Sequence, residues 1–175
     1  MPEKSRKDEK DDIRRGESLW APWRMEYILD DRKEGCLFCR KSESDEDAKN
    51  FVLYRSDYSF ALLNTFPYNS GHIMIAPYRH TAEMEGLSED EIVDLTKVLQ
   101  LCLRLLKRVM KPDGFNVGFN LGKSAGAGVV DHLHLHLVPR WEGDTNYMPV
   151  IGNTRVIPQS LKTVYDLLSV AISAH

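Results

Sequence analysis

Residues 129–140 read VVDHLHLHLVPR, and the alternation inside them decides the fold. From His132 to Leu137 histidine and leucine trade places at every step. In an extended chain alternate side chains share a face, so His132, His134 and His136 project together, about 6.5 Å from one to the next at a rise of about 3.3 Å per residue. Leu133, Leu135 and Leu137 face the other way. A buried leucine face would hold the imidazole row at fixed spacing. The predicted strand runs over 129–138 and is ended by Pro139. A lone histidine is usually a satisfied core or surface residue, but this stretch holds three of the chain's six, in strict alternation. That pattern calls for chemistry.

Working outward, FVLYR (51–55) and YSFALLN (58–64) are rich in aromatic and apolar residues and are split by Ser56-Asp57, which predicts an antiparallel hairpin. HIMIAP (72–77) follows a turn-forming run and predicts a third strand stopped by Pro77. Ser88-x-x-Glu91 is a capping box that opens a helix over 88–110. Its expected apolar stripe is Ile92, Leu95, Leu99, Cys102, Leu106 and Val109. Leu101, Leu103 and Leu105 lie outside that stripe and suggest a subunit interface. FNVGFN (115–120) gives a fourth strand, LGKSAGAG (121–128) a glycine-rich loop, and the stretch from about Ser160 onward a second amphipathic helix. The fold class is α+β, an antiparallel five-stranded sheet with two helices.

Composition bounds the rest. The chain has 175 residues, 42% hydrophobic and 28% charged, which suits one globular domain at 19–175. Within it, 19–50 is an N-terminal segment, 51–140 the core and 141–175 a C-terminal extension and helix. Residues 1–18 are charged throughout and predict a disordered tail. They lack the apolar stretch of a secretory signal, and no run approaches the ~18 apolar residues of a membrane span, so a cytoplasmic protein with no membrane partner is expected. A formal net charge of −3 gives no basic field for nucleic acid. Trp20 and Trp23 are expected to pack on the domain, and KSESDEDAKN (41–50) to form a loop. Cys102 lies on the helix stripe and is expected to be packing. Cys36-x-x-Cys39 suggests metal or redox work, and the βαβ context of a thioredoxin-like site is missing.

Two chemical readings fit the imidazole row. Histidines at i and i+2 can ligate a catalytic metal. Alternatively one imidazole attacks phosphorus while its neighbours and backbone amides hold the anionic oxygens. The loop beside the row, with Gly122, Lys123, Ser124, Gly126 and Gly128, offers amides without Cβ hindrance, a hydroxyl and a positive charge, which suits phosphate.

The residues H-L-H-L-H-L-V, together with Asn64, P-Y-N-S-G-H (67–72), A-P-Y-R-H (76–80) and Asn120-x-Gly122, resemble the histidine triad (HIT) superfamily of nucleotidyl hydrolases and transferases over roughly 50–140. Residues 138–158 resemble the bacterial branch that includes diadenosine tetraphosphate phosphorylases. The resemblance implies a HIT-like fold and cleavage of dinucleoside polyphosphates through a covalent nucleotidyl-histidine. By it, His134 is the nucleophile, His136 binds phosphate oxygens, and His72 lies behind the row and orients it. Asn64 would hold the ribose hydroxyls, and Asn120 would lie near the phosphates beside the Gly122, Ser124, Gly126 and Gly128 loop. Many hydrolases of the family have glutamine where this chain has Gly128, and Asn120 sits one residue further upstream than usual. That departure favours phosphate over water as acceptor, against hydrolysis of dinucleoside polyphosphates or nucleoside phosphoramidates. Two functions of a different class also fit the row: a metalloenzyme using the triad as ligands, and a non-catalytic nucleotide-binding protein. Related proteins complete a structural Zn²⁺ site with the histidines equivalent to His80 and His132 beside Cys36 and Cys39, tying the N-terminal segment to the triad. The resemblance further implies Mg²⁺ carried with the nucleotide and a homodimer with a sheet continuous across it. Trp141 is left open between stacking on adenine and packing on a neighbouring subunit.

Overall fold

The structure, a computed structural model, describes residues 35–144 and 157–173. The charged tail, Trp20, Trp23 and residues 145–156 of the C-terminal extension lie outside them. Short helices α1 (Leu37–Glu43) and α2 (Asp47–Asn50) precede strands β1 (Val52–Arg55), β2 (Ser59–Leu63) and β3 (Ile73–Pro77). Helix α3 (Glu89–Met110), strands β4 (Gly114–Phe119) and β5 (Leu135–Arg140) and helix α4 (Leu161–Ser173) follow. The strands form one antiparallel sheet in the order β1-β2-β3-β5-β4.

Alternation sorts the side chains into two layers. Ala61, Leu63, Ile73, Ile75, Leu135 and Leu137 pack with Leu95, Val98, Cys102, Leu105 and Leu106 of α3 and Val164 and Leu168 of α4. Phe60, Leu62, Met74 and Ala76, the intervening residues, pack instead with Val52 and with Phe38 of α1. The long helix begins as expected. Ser88 Oγ accepts from the Glu91 amide and the Glu91 carboxylate accepts from the Ser88 amide. Arg79 grips that carboxylate with two hydrogen bonds of 2.8 Å and, with the Ser88 amide, holds it down to about 2.

Several expectations are corrected. The stretch 41–50 is not a loop, because α1 and α2 cover much of it. Arg55 donates to the carbonyls of Lys41, Ser42 and Ser44 and to Asp47, and so satisfies the end of α1 from the neighbouring strand. The buried stripe of α3 runs through Leu95, Val98, Cys102, Leu105 and Leu106, and Ile92, near the first turn, is exposed. Leu103 and Leu105 belong to the core, and Leu101 lines a cleft with Ile172 of α4, so the second helix engages leucines set aside for a subunit interface.

The predicted strand over 129–138 starts later and ends later. Residues before Leu135 leave the sheet: the Leu133 amide donates to Thr81 O at 2.6 Å instead of joining a ladder. Pro139 lies inside β5, opposite Phe115, and does not end it. Its carbonyl accepts from Asn69 on the β3 side, past the last β3–β5 pair at Ile73↔Leu137, so its missing N–H also faces that side, where no strand needs it. Among the described residues no helix is long and apolar enough to cross a membrane.

Candidate active site and metal clasp

His134 stands just before β5 and is buried. Its Nδ1 lies 2.8 Å from His132 O. A carbonyl only accepts, so Nδ1 carries the proton and Nε2 keeps its lone pair. Burial pushes the ring below the ordinary histidine value, with the hydrogen bond to His132 O opposing. The result is a neutral imidazole with one nitrogen tethered and the other available to attack.

A second chain of hydrogen bonds fixes the neighbouring ring. His72 is fully buried and enters β3 from Gly71, whose φ of +76° suits glycine, and where a Cβ would meet Met110 Sδ at 2.7 Å. His72 Nδ1 receives the Tyr68 amide at 3.1 Å, with Asn64 Nδ2 at 3.3 Å. Nδ1 is therefore an acceptor, Nε2 bears the proton, and it donates to His136 Nδ1 at 2.9 Å. That forces the His136 proton onto Nε2, a buried atom with no hydrogen-bond partner among the described residues. Burial first, and the charge of His134 second, push His136 down to about 4. A neutral ring thus aims an unmet N–H donor from beside His134, the two ring centroids being 4.8 Å apart.

His132 shares the Phe38 ring with His134 but belongs to a different cluster. Its Nε2 donates to Pro77 O at 2.9 Å, which leaves the Nδ1 lone pair beside Cys36 Sγ at 3.3 Å, Cys39 Sγ at 3.6 Å and His80 Nδ1 at 3.3 Å. His80 Nδ1 is 3.4 Å from Cys39 Sγ. The four ligand atoms all lie within 4.8 Å of one another. A tetrahedral zinc site with its usual Zn–N and Zn–S bonds has vertices about 3.3 Å apart for N–N and about 3.5 Å for N–S, so the quartet fits. The donor chemistry agrees. Burial, then the hydrogen bond and charge of Cys36, push the Cys39 thiol up to about 11, and a cation between the sulfurs would reverse that. Of the triad, only His132 joins this cluster.

The remaining candidates surround the row. Asn64 accepts the Phe66 amide at 2.9 Å through Oδ1, and its other amide atom faces His72. Asn120 directly follows β4, whose last residue Phe119 pairs with Leu135, the residue after His134. In the loop, Gly122 and Gly126 take φ of +81° and +90° around a short turn at Lys123–Ala125. The amides of Ala125, Gly126 and Ala127 close that turn on itself. Ser124 and Gly128 are exposed, and among the described residues no hydrogen bond joins the loop to the histidines.

Residues 45–143 match the HIT domain model. The chain belongs to the HIT domain family. Within it, the chain is 40% identical over 159 residues to the AP-4-A phosphorylase of Mycobacterium tuberculosis, covering 86% of this chain and 82% of the relative. It is 40% identical over 92 residues to the bis(5'-adenosyl)-triphosphatase of Saccharomyces cerevisiae, covering 52% of this chain and 44% of that one. Among solved structures, a zinc-bound histidine triad family protein from Mycobacterium smegmatis superposes with a TM-score of 0.64 at 27% identity, over 80% of this chain and 94% of the other.

Two neighbours of the HIT site carried no role in the sequence reading. Tyr68 supplies the amide that polarises His72 and lays its ring over His72 and His136, at 4.7 and 5.7 Å between centroids. Phe38 packs on both His132 and His134. The aromatic within C-x-x-C and the one in P-Y-N-S-G were the available signals.

Proposed function

We propose that this protein is a nucleotidyl-transferring enzyme that cleaves dinucleoside polyphosphates such as diadenosine tetraphosphate, with phosphate as the favoured acceptor. The observation that carries the reading is the pair of nitrogens at the centre of the row: the lone pair on His134 Nε2, and beside it the buried N–H on His136 Nε2, unpartnered among the described residues. The first suits a nucleophile and the second an oxyanion donor. His134 Nε2 attacks the α-phosphorus, the P–N bond forms, and the bond to the departing polyphosphate oxygen breaks. Positive charge develops on the ring while its Nδ1–H stays on His132 O. His136 donates to a phosphoryl oxygen as charge builds there. Phosphate or water then attacks the same phosphorus, the P–N bond breaks, and His134 returns neutral.

His72 acts through His136, by fixing which of its nitrogens holds the proton. Asn64, held against Phe66 and His72, meets the ribose from a fixed orientation, and Asn120 with the Gly122, Ser124, Gly126 and Gly128 loop serves the phosphates. Cys36, Cys39, His80 and His132 hold a structural Zn²⁺, which supplies a crosslink and leaves His134 to the chemistry. The zinc in the mycobacterial relative supports that assignment. The phosphorylase reading draws on the relative matched over most of its length. The reading extends to a cytoplasmic homodimer, for which β4, an outer strand of the sheet with Val117 exposed, offers an edge unpaired among the described residues.

The test is a product assay with diadenosine tetraphosphate and Mg²⁺, with and without inorganic phosphate. ADP plus ATP formed only with phosphate is the expected result, and AMP plus ATP would make the enzyme a hydrolase. Folded protein that cleaves neither this nor any other nucleotide substrate overturns the proposal.

A further inference from the structure

A nucleophile that must keep one nitrogen open to substrate can be held only from its other sides. For His134 the Nδ1–H bond to His132 O is one restraint, and the ring of His136, nearly perpendicular at 72°, is another. Neither covers the flat of the imidazole. Phe38 does: its ring centroid lies 4.9 Å from that of His134 with 32° between planes, and 5.1 Å from that of His132 with 41°. Phe38 is fully buried, backed at 6.5 Å by the edge of Phe60.

Its place in the chain is what gives this contact meaning. Phe38 sits between Cys36 and Cys39, in the first turn of α1, which the bond from the Arg40 amide to Cys36 O closes. Arg55 holds the far end of that helix through the carbonyls of Lys41 and Ser42. The near end carries no side-chain cap, and it reaches the sheet through the cysteine cluster with His80 and His132.

We propose that Phe38 is a positioning residue for the His134 nucleophile, and that the metal clasp acts on the chemistry by seating this phenyl ring. The inference rests on the proposed role of His134. The clasp fixes the first turn of α1, the turn presents the phenyl, and the phenyl closes one face of the imidazole to water and to tilting. Misplacing a reacting group by about 1 Å can cost about a hundredfold in rate. Loss of the ring should therefore lower kcat and spare KM, since Phe38 touches the nucleophile and no substrate-binding residue named above.

Phe38→Leu tests this in the metal-loaded protein, because leucine keeps the site apolar and filled while removing the flat ring. Phe38→Met is the second variant, should leucine fold poorly. Phe60→Leu is the control, being equally buried and packed on Phe38 but making no ring contact with His134. The readouts are kcat and KM, bound zinc per chain, and the ¹⁵N resonances of the His134 ring, assigned with His134→Asn. F38L should keep its zinc and hold KM within about twofold, while kcat falls about tenfold or more. Its His134 resonances should shift from a single Nδ1–H form toward an average of both tautomers. F60L should leave kcat and the resonances in place. Stripping zinc should lower kcat in the wild type and lower it little further in F38L, as expected of two changes on one path. The proposal is overturned by an unchanged kcat in zinc-loaded F38L, by equal losses in F38L and F60L, by recovery of F38L in excess zinc, or by additive losses on stripping. If the wild type cleaves no nucleotide, the proposed function fails. The ring resonances of F38L then still decide whether Phe38 positions His134.

Discussion

The two faces of the sheet do different work with the same alternating strands. On one face Leu63, Ile73, Ile75, Leu135 and Leu137 meet α3 and α4 in an aliphatic layer continuous across three strands. On the other, the apolar layer is a small cluster around Phe38, Phe60, Leu62 and Met74, and the histidines stand beside it. The first face excludes water and asks nothing of geometry beyond filling space. The second holds buried nitrogens whose protons are assigned by carbonyls and amides of other segments. Stability is concentrated in one layer and chemistry in the other, and the strands between them carry both.

The largest effect expected from that division is at His134. His134→Ala should lower nucleotide turnover by at least about a thousandfold, the scale lost with a covalent nucleophile. Zinc stoichiometry and a cooperative fold should persist. Turnover assays beside metal analysis check this, and residual activity within tenfold of the wild type would remove His134 from the mechanism. The mirror experiment is Leu168→Ala. Leu168 is fully buried in the helix layer, so truncation should cost about 2–5 kcal/mol in urea unfolding. Turnover per folded molecule should stay within about twofold, because Leu168 packs in the aliphatic cluster, which holds no imidazole. If L168A instead slowed a fully folded enzyme, the two faces would be coupled through the sheet.

How much of this was legible in the sequence follows from the range of each interaction. Alternation and the capping box are local, and the two-layer sheet and the start of α3 were readable from them. The start of β5 was not, since residues before Leu135 are held by Pro77 O and Thr81 O, partners that no pattern near His132 names. The polar run after Cys39 hid α1 and α2, because the groups that satisfy their ends come from Arg55 on β1. Pro139 looked like a stop because its lost donor was counted without knowing that β3 ends short of it. At the site, C-x-x-C marked two candidate ligands, whereas His80 and His132 came from family likeness. The proton arrangement along Tyr68, His72 and His136 needed coordinates, since it depends on which nitrogen meets which partner.

The smallest of the expected effects separates the faces by pH. His136 titrates at about 4 in the folded chain against an ordinary value near 6.5, chiefly because burial penalises its charged form. Between those two values the unfolded chain binds a proton that the folded chain refuses. Stability is therefore fully present above about pH 6.5, is lost as pH falls through the window, and levels off below about 4. The groups that burial and ion pairing shift on the helix face act mostly outside that window. Burial raises both Cys102, to about 12, and Tyr165, so both stay neutral throughout. Glu91, held near 2 by Arg79, releases its share only below the usual carboxylate range. His136 is only partly covered, so solvent screens the effect and keeps it below that of L168A. Urea unfolding of the wild type and of His136→Asn at pH 7 and pH 5 isolates it. The wild type should lose more stability than the variant over that interval, and equal losses would mean that His136 itself is as indifferent to acid as the aliphatic layer.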